Sequence, residues 1–208
     1  MAVWLILMRL KKSKNSSNRE KIIKAALELF NEFGTAKVST NHICEKLSIS
    51  PGNLYYHYRN KDEIIIAIFE EMINKWDQTP VPKEANLKNL THLYERTFQY
   101  LWDYRFIHRE INFLYQSNKI FKEIFRKAQN KRLKQIEEFI SKYLKAGIFK
   151  VISNVEIRYL ARTIWFFSLY WMSYLETEGK PINEKSLKES ISILSNIIKP
   201  YLSKGDLK

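Results

Sequence analysis

The sequence predicts an all-α protein with an N-terminal three-helix unit, residues 18–78, and a longer C-terminal helical unit, residues 83–208. Three observations favour this fold class. Apolar residues recur three or four positions apart through most of the chain, which is the spacing of an amphipathic helix. Polar cap residues precede these runs, and glycine or proline follows them. A Thr-Pro-Val-Pro segment at 79–82 marks the boundary between the units, because proline interrupts a helix.

The first predicted helix begins at a capping box formed by Ser17 and Glu20, and it ends at Gly34. The preceding residues, 1–17, combine a short apolar run with a basic run. In a secretory signal the basic residues come first, and a membrane span needs about 20 apolar residues, so neither is predicted. We therefore expect 1–17 to be a flexible basic arm. Two explanations of its apolar part stay open: Met8 is the native start, or the arm packs elsewhere.

Residues 39–61 predict two short helices around a tight turn, which is a helix-turn-helix. Ser39 is placed to cap the first helix, and Ser50 followed by Pro51 starts the second. Leu54 and Tyr58, four residues apart on the second helix, are expected to face inward. The opposite side then carries amide, aromatic and basic groups. They belong to Asn53, Tyr55, Tyr56 and His57, next to Gly52.

This outward face has the chemistry of a helix that enters a DNA major groove. In a helix-turn-helix, the N-terminal end of the second helix meets the base edges. Gly52 permits a close backbone approach, Asn53 can both donate and accept, and the tyrosines offer rings to thymine methyls and hydroxyls to phosphates. Lys61 opens the next helix, where its ammonium and the free backbone N–H groups are expected to face phosphate.

On these residues, the segment 18–77 resembles the DNA-binding domain of the TetR family of bacterial transcriptional regulators. The motifs are REKIIKAALELFNEFG, the Ser39-Thr40 helix start, SPGNLYYHYRNK and IIIAIFEEM. The family often has glycine where this chain has Ser48. The resemblance implies phosphate contacts by Thr40, Tyr55, His57 and Lys61, and base or groove contacts by Asn41, Pro51, Gly52, Asn53 and Tyr56. The cap residues Ser39 and Ser50 complete the predicted DNA-binding set.

The C-terminal unit is rich in aromatic residues at helical spacing. Any one of them is more simply explained as ordinary core packing, but the group as a whole is compatible with a cavity. In proteins similar to this one, such a cavity admits a small apolar effector that changes the separation of the two recognition helices. The residues expected to line it are Trp102, Phe106, Phe113, Trp165 and Tyr170.

The final predicted helix carries an apolar stripe, formed by Leu187, Ile191, Leu194 and Ile198. The pattern alone fits two outcomes equally, a seam for a second helix of a partner or burial within its own chain. Proteins similar to this one pair their last two helices across a two-fold axis. The resemblance therefore implies a homodimer with this stripe at the interface, and a two-fold dimer fits a palindromic operator.

The composition limits the kinds of partner and compartment that this chain can have. A net charge of +13 and a pI near 9.6 favour a polyanionic partner. Residues 1–62 hold eleven Lys or Arg against five Asp or Glu, although a merely soluble basic protein explains this contrast about as well. The single cysteine, Cys44, excludes an intrachain disulfide and fits a reducing cytoplasm.

Catalytic and metal-binding readings have little support in the sequence. His92 and His108 stand sixteen residues apart without the spacing of metal ligands. Carboxylate pairs such as Glu137 and Glu138 are neighbours on a helix and point in different directions. We predict no catalytic residue, no metal site, no cofactor and no membrane partner.

The sequence thus predicts a cytoplasmic, homodimeric regulator of transcription that binds a palindromic double-stranded DNA operator. We expect a repressor, which a small apolar effector releases from the operator. The alternative is a DNA-binding module with a filled core and no effector.

Overall fold

A computed structural model describes residues 2–78 and 84–203, with side chains from residue 18 onward except those of Leu87 and Leu187. The chain divides into two compact units, Met1–Asp77 and Gln78–Lys208. The described residues form helices and no strand; their extended pairing is an isolated bridge between Phe149 and Leu202. The predicted all-α class is confirmed. The predicted proline boundary at 79–82 lies outside the described residues.

The first unit is a small helical bundle whose core forms around α1. Its helices are α1 (Ala2–Phe33), α2 (Thr40–Leu47), α3 (Pro51–His57) and α4 (Lys61–Asp77). One face of α1 is fully buried at Ile22, Ala26 and Phe30. α1 packs against α2 and α4, and α2 packs against α3. The two short helices are therefore held against a long one.

The start of α1 corrects one expectation. The helix begins at Ala2, so residues 2–17 are helical rather than a flexible arm, and Ser17 lies inside the helix instead of capping it. The segment is rich in Ala, Leu, Met, Lys and Arg, which are strong helix formers, and no glycine or proline precedes Gly34. A cap signal marks a helix start only where the residues before it disfavour a helix.

Between residues 84 and 203, the second unit contains four long helices and two short ones. They are α5 (Leu87–Asp103), α6 (Arg105–Arg109), α7 (Ile111–Ser117), α8 (Lys119–Lys145), α9 (Asn154–Thr177) and α10 (Glu184–Ile198), followed by a 3-10 turn, Lys199–Tyr201. Side chains cap the four long helices: Asn86, Asn118, Ser153 and Asn183. The predicted stops after α8 and α9 are confirmed, since Gly147 and Gly179 adopt positive φ there.

The apolar stripe of α10 faces the core of its own chain, which corrects the predicted dimer seam. Leu194 and Ile198 are each only 2% exposed, and Ile191 is partly buried against the same cluster. The side chain of Leu187 lies outside the described residues. α10 packs against α5, and a helix with one apolar stripe can bury it against only one partner.

Candidate nucleic-acid interface

The beginning of α2 is fixed by a reciprocal cap. The Ser39 hydroxyl accepts a hydrogen bond from the backbone N–H of His42 (3.4 Å), and the Ser39 N–H donates to His42 Nδ1 (3.2 Å). The predicted capping role of Ser39 is confirmed, and the box places Thr40 and Asn41 in the first helical turn. The sequence analysis missed His42 as the second partner, because glutamate or glutamine is the usual residue at that position.

The turn between α2 and α3 depends on a serine in an unusual conformation. Ser48 has φ 53° and ψ 44°, the left-handed region that favours glycine. Its N–H donates to the Glu45 carbonyl, and the next N–H, of Ile49, donates to the Cys44 carbonyl. Serine therefore adopts the backbone conformation that glycine would supply, and the departure from the family pattern leaves the turn intact.

α3 presents one buried face and one exposed face. The Ser50 hydroxyl accepts from the Asn53 N–H (3.3 Å) and Pro51 is the first helical residue, so the predicted helix start is confirmed. Leu54 and Tyr58 are buried, as their spacing predicted. The outward residues are exposed, apart from a half-buried His57, and the exposed fraction of Tyr56 is 72%. The structure thus brings together the groups that were predicted to meet DNA.

Gly52 occupies a position where this fold does not require glycine. A Cβ placed there would have Ser50 Oγ as its nearest described neighbour, at 3.9 Å, which is an ordinary van der Waals distance. Glycine within a helix is less stable than alanine by about 0.5–1 kcal/mol. The residue is thus unfavourable for the isolated helix, and an external surface that approaches the backbone closely would account for it.

A hydrogen bond joins the two helices on the exposed side. Thr40 Oγ1 lies 3.2 Å from the hydroxyl oxygen of Tyr55. These two groups, both predicted to contact phosphate, are therefore adjacent although they stand fifteen residues apart in the sequence. Two neighbouring hydroxyls can donate to one phosphate oxygen or to a pair of them.

Lys61 is more constrained than the sequence suggested. Its ammonium donates to the backbone carbonyls of Thr35 (2.6 Å) and Val38 (3.1 Å), which ties α4 to the segment before α2. The Glu63 N–H at the start of α4 is capped by Asn60 Oδ1 at 2.9 Å. The ammonium is therefore not free as expected, and the Glu63 N–H is already capped. One ammonium N–H remains for a phosphate.

Arg19 supports α3 from behind, a role that the sequence analysis missed. Its Nε donates to the Tyr58 hydroxyl (3.0 Å), and its guanidinium lies 5.4 Å from the centre of the same ring. Burial raises the pKa of Tyr58, and burial together with the Arg19 charge lowers the pKa of His57. Both effects favour the neutral form of His57. A buried tyrosine hydroxyl usually needs a hydrogen-bond partner, and this need could have indicated that a residue such as Arg19 contacts Tyr58.

The predicted lining residues of the effector cavity occupy different environments. Phe106 is fully buried, whereas Phe113 is 59% exposed, which corrects its assignment to a cavity wall. Trp165 donates from Nε1 to Gln129 (3.1 Å), and the half-buried Trp102 lies beneath the Arg105 guanidinium at 4.4 Å. The hydroxyl of the fifth residue, Tyr170, donates to Asn112 Oδ1 at 3.4 Å.

A surface groove of about 590 Å³ lies between α8 and α9, and none of the five predicted residues lines it. Its lining residues are Lys134, Glu137, Glu138, Ser141, Lys142, Lys145, Asn154, Ile157 and Arg158. The groove is polar and charged, which does not suit an apolar molecule.

Two further observations concern metals and membranes. Within residues 2–78 and 84–203, no three His, Cys, Asp or Glu side chains form a group that could hold a metal ion. None of the helices in the described ranges has the length and apolar character to cross a membrane. Cys44 is buried on α2, on its inward face as predicted.

Comparison with known proteins decides the family. A model described as "Bacterial regulatory proteins, tetR family" matches residues 22–68, and one described as "Bacterial transcriptional repressor" matches residues 68–208. This chain belongs to the TetR family of transcriptional regulators. A TetR-family regulator from Marinobacter aquaeolei VT8 has a similar structure, with a TM-score of 0.80 and 34% identity over 90% of this chain and 92% of that one.

Curated relatives match a short part of this TetR-family chain. The tetracycline repressor protein class C of Escherichia coli is 37% identical over 68 residues, 32% of this chain and 31% of that protein. The regulator UidR of Escherichia coli K12 is 44% identical over 50 residues, 24% and 26% of the two chains. The matches thus span less than a third of these relatives. The family and these relatives are DNA-binding regulators of transcription, not enzymes.

Proposed function

We propose that this TetR-family regulator is a cytoplasmic homodimeric repressor, which binds a palindromic operator through the exposed face of α3 and leaves it when a small apolar effector binds the second unit. The observation that carries the proposal is the two-sided character of α3. One face is buried, and the other exposes Gly52, Asn53 and Tyr56 to solvent.

Asn53 and Tyr56 are proposed to read bases. The Asn53 backbone N–H donates to Ser50 Oγ, and its side chain on the exposed face carries a carboxamide that can pair with adenine N6 and N7 in the major groove. The Tyr56 ring, 72% exposed, suits an apolar contact with a thymine methyl group. Gly52 lets the helix come close enough for both contacts.

The surrounding groups are proposed to hold phosphates and so set the register of α3. Thr40 and Tyr55 form one hydroxyl pair, the neutral His57 serves as a donor, and Lys61 contributes its remaining N–H. Asn41, Pro51 and the caps Ser39 and Ser50 complete the contact surface. Phosphate contacts position a protein on DNA without specifying sequence.

The dimer interface is proposed to lie on α9 rather than on the α10 stripe. Val155, Tyr159, Phe166 and Tyr174 are exposed large apolar residues, and they fall within an arc of about 100° around the helix. The opposite face of α9 is buried at Leu160, Ala161 and Leu175. A contiguous aromatic face on a soluble helix marks an interface. A second copy, related by a two-fold axis, would bury this face against itself and present two recognition helices to a palindrome.

The effector is proposed to act by linkage. If it binds one arrangement of the dimer better than the arrangement that fits the operator, effector and operator weaken each other by the same factor. The residues proposed to surround the effector are still Trp102, Phe106, Trp165 and Tyr170. The alternative, a DNA-binding module without an effector, is favoured by the complete burial of Phe106. A thermal-shift screen in which no apolar ligand stabilises the protein would support that alternative.

The test compares DNA from the gene's own upstream region with a shuffled sequence, by fluorescence anisotropy. Asn53→Ala is expected to reduce the preference for one base position by about 1–3 kcal/mol. Asn130→Ala, at an exposed asparagine within α8, is the matched control and should leave the preference unchanged. Equal affinity of the wild-type protein for the two DNAs would contradict the proposed function.

A further inference from the structure

The second unit contains a buried histidine whose ring lacks hydrogen bonds. His108, on α6, is 4% exposed, and within the described chain neither Nδ1 nor Nε2 has a hydrogen-bond partner. A neutral imidazole always offers one donor and one acceptor. Leaving a buried polar group without a partner is unfavourable, and such groups in native structures call for an explanation.

The surroundings of His108 keep the ring neutral. Burial is the larger effect and lowers its pKa to about 4, while the nearby backbone of Leu169 on α9 acts in the opposite direction. Nearby charges are already engaged. Arg109 pairs with Glu176 of α9, and the Arg105 guanidinium lies over the Trp102 ring. Both arginines of α6 are therefore engaged by groups of their own chain, and the ring that they flank is neutral.

His108 lies on the elements that carry the proposed effector surroundings. Phe106 is on the same short helix, and Trp165 and Tyr170 are on α9, against which α6 packs. The contact between the helices is direct, because Ser173 Oγ donates to the His108 carbonyl at 2.8 Å. The ring thus lies where α6 packs against α9, beside the Leu169 backbone, in a contact that also contains the Ser173 hydrogen bond and the Arg109–Glu176 ion pair.

This contact is also the part of the unit with the weakest local helix stabilisation. α6 has five residues and α7 has seven, and neither begins with a side-chain cap, whereas α5, α8, α9 and α10 all do. Short helices depend on tertiary packing for their stability. Rearrangement to admit a molecule is therefore least costly beside His108.

We propose that His108 is the polar recognition group of the effector site, and that the effector is an apolar molecule with one neutral hydroxyl, which enters between α6 and α9 and hydrogen-bonds to the imidazole. This inference rests on the proposed effector-controlled function and specifies its ligand class. A hydroxyl both donates and accepts, so it can satisfy either tautomer of the ring. The rest of such a molecule replaces apolar contacts between the helices.

The test uses 4-butylphenol and butylbenzene, which differ by one hydroxyl, with binding followed by tryptophan fluorescence. The wild-type protein should bind the phenol about tenfold more tightly than butylbenzene, and His108→Leu should make the two affinities equal. His108→Gln, which keeps a donor and an acceptor, should retain part of the preference. His92→Phe, which removes an exposed histidine of α5, is the matched control. We expect it to keep the wild-type preference for the phenol.

Urea unfolding shows whether His108→Leu folds, and we expect no loss of stability, because the substitution removes buried polar atoms without partners. An unchanged preference in a folded His108→Leu, equal wild-type affinities, or no binding of either probe up to its solubility limit would overturn the proposal. Operator affinity with and without the phenol is measured separately. If the protein binds no DNA, the proposed function is refuted, but the ratio of the two probe affinities still tests the His108 site. If the phenol binds and operator affinity does not fall, the effector role is refuted.

Discussion

Replacing Gly52 by alanine separates the requirements of the fold from those of DNA binding. The substitution adds one methyl group on the exposed side of α3, and its nearest described neighbour would be Ser50 Oγ at 3.9 Å. The fold therefore accommodates it without a clash. Because alanine is the better helix former, the free energy of unfolding should rise by about 0.5–1 kcal/mol. Urea or thermal unfolding measures this gain.

The same methyl group should weaken operator binding. It projects about 1.5 Å from Cα, while non-bonded carbon atoms approach to about 3.5–4 Å. If the α3 backbone meets DNA at that distance, the helix must withdraw by about 1.5 Å. Hydrogen bonds from Asn53 would then lengthen from about 2.9 Å to beyond 4 Å and be lost. We expect operator affinity to fall at least tenfold, about 1.4 kcal/mol, in an anisotropy titration.

Gly147→Ala is the control, because this glycine has φ +74° and no described atom lies within 4 Å of a Cβ placed there. Alanine at positive φ is strained, so this variant should lose about 1 kcal/mol of stability with operator affinity unchanged. A stabilised Gly52→Ala protein with wild-type operator affinity would refute the reasoning that glycine serves a close approach to DNA.

Two further predictions concern the second unit. Phe166→Glu places a charge on the exposed face of α9 and should convert the proposed dimer into a folded monomer in light scattering, with operator affinity lowered more than tenfold; a dimeric variant would exclude α9 as the interface. His108 has a pKa of about 4 when folded, against about 6.5 unfolded, so its contribution to stability is complete above pH 6.5 and lost as the pH falls toward 4. Urea unfolding should show that the free energy of unfolding falls by up to about 3 kcal/mol between pH 6.5 and pH 4. A fall of equal size in His108→Leu would show that other groups cause it.

The DNA-binding unit could be predicted because its signals are local. Serine caps at Ser39 and Ser50 and the four-residue spacing of Leu54 and Tyr58 fix the helix starts and the outward face of α3 within a few residues. The contacts of Lys61 were not predictable in the same way. Its ammonium binds carbonyls 23 and 26 residues earlier in the chain, and nothing local indicates that reach.

The dimer seam shows a different limit of sequence patterns. α10 carries one apolar stripe, and α9 carries a core face together with a second, aromatic face. A stripe reports that a helix buries a surface, but it does not report which chain covers it. The packing of Leu194 and Ile198 shows that their own core covers the stripe of α10. Phe166 on α9 is 65% exposed. The orphaned ring of His108 likewise emerges only from three-dimensional contacts.

Footprinting with dimethyl sulfate shows which groove α3 enters, since the reagent methylates guanine N7 in the major groove and adenine N3 in the minor groove. We expect the wild-type protein to protect guanine N7 on its own upstream DNA in two symmetric patches, separated by about one helical turn or a multiple of it. We further expect Asn53→Ala to require a higher protein concentration than the wild type for the same protection, and Asn130→Ala to require the wild-type concentration. Protection confined to adenine N3, or no protection at concentrations where the DNA is bound, would contradict entry of α3 into the major groove.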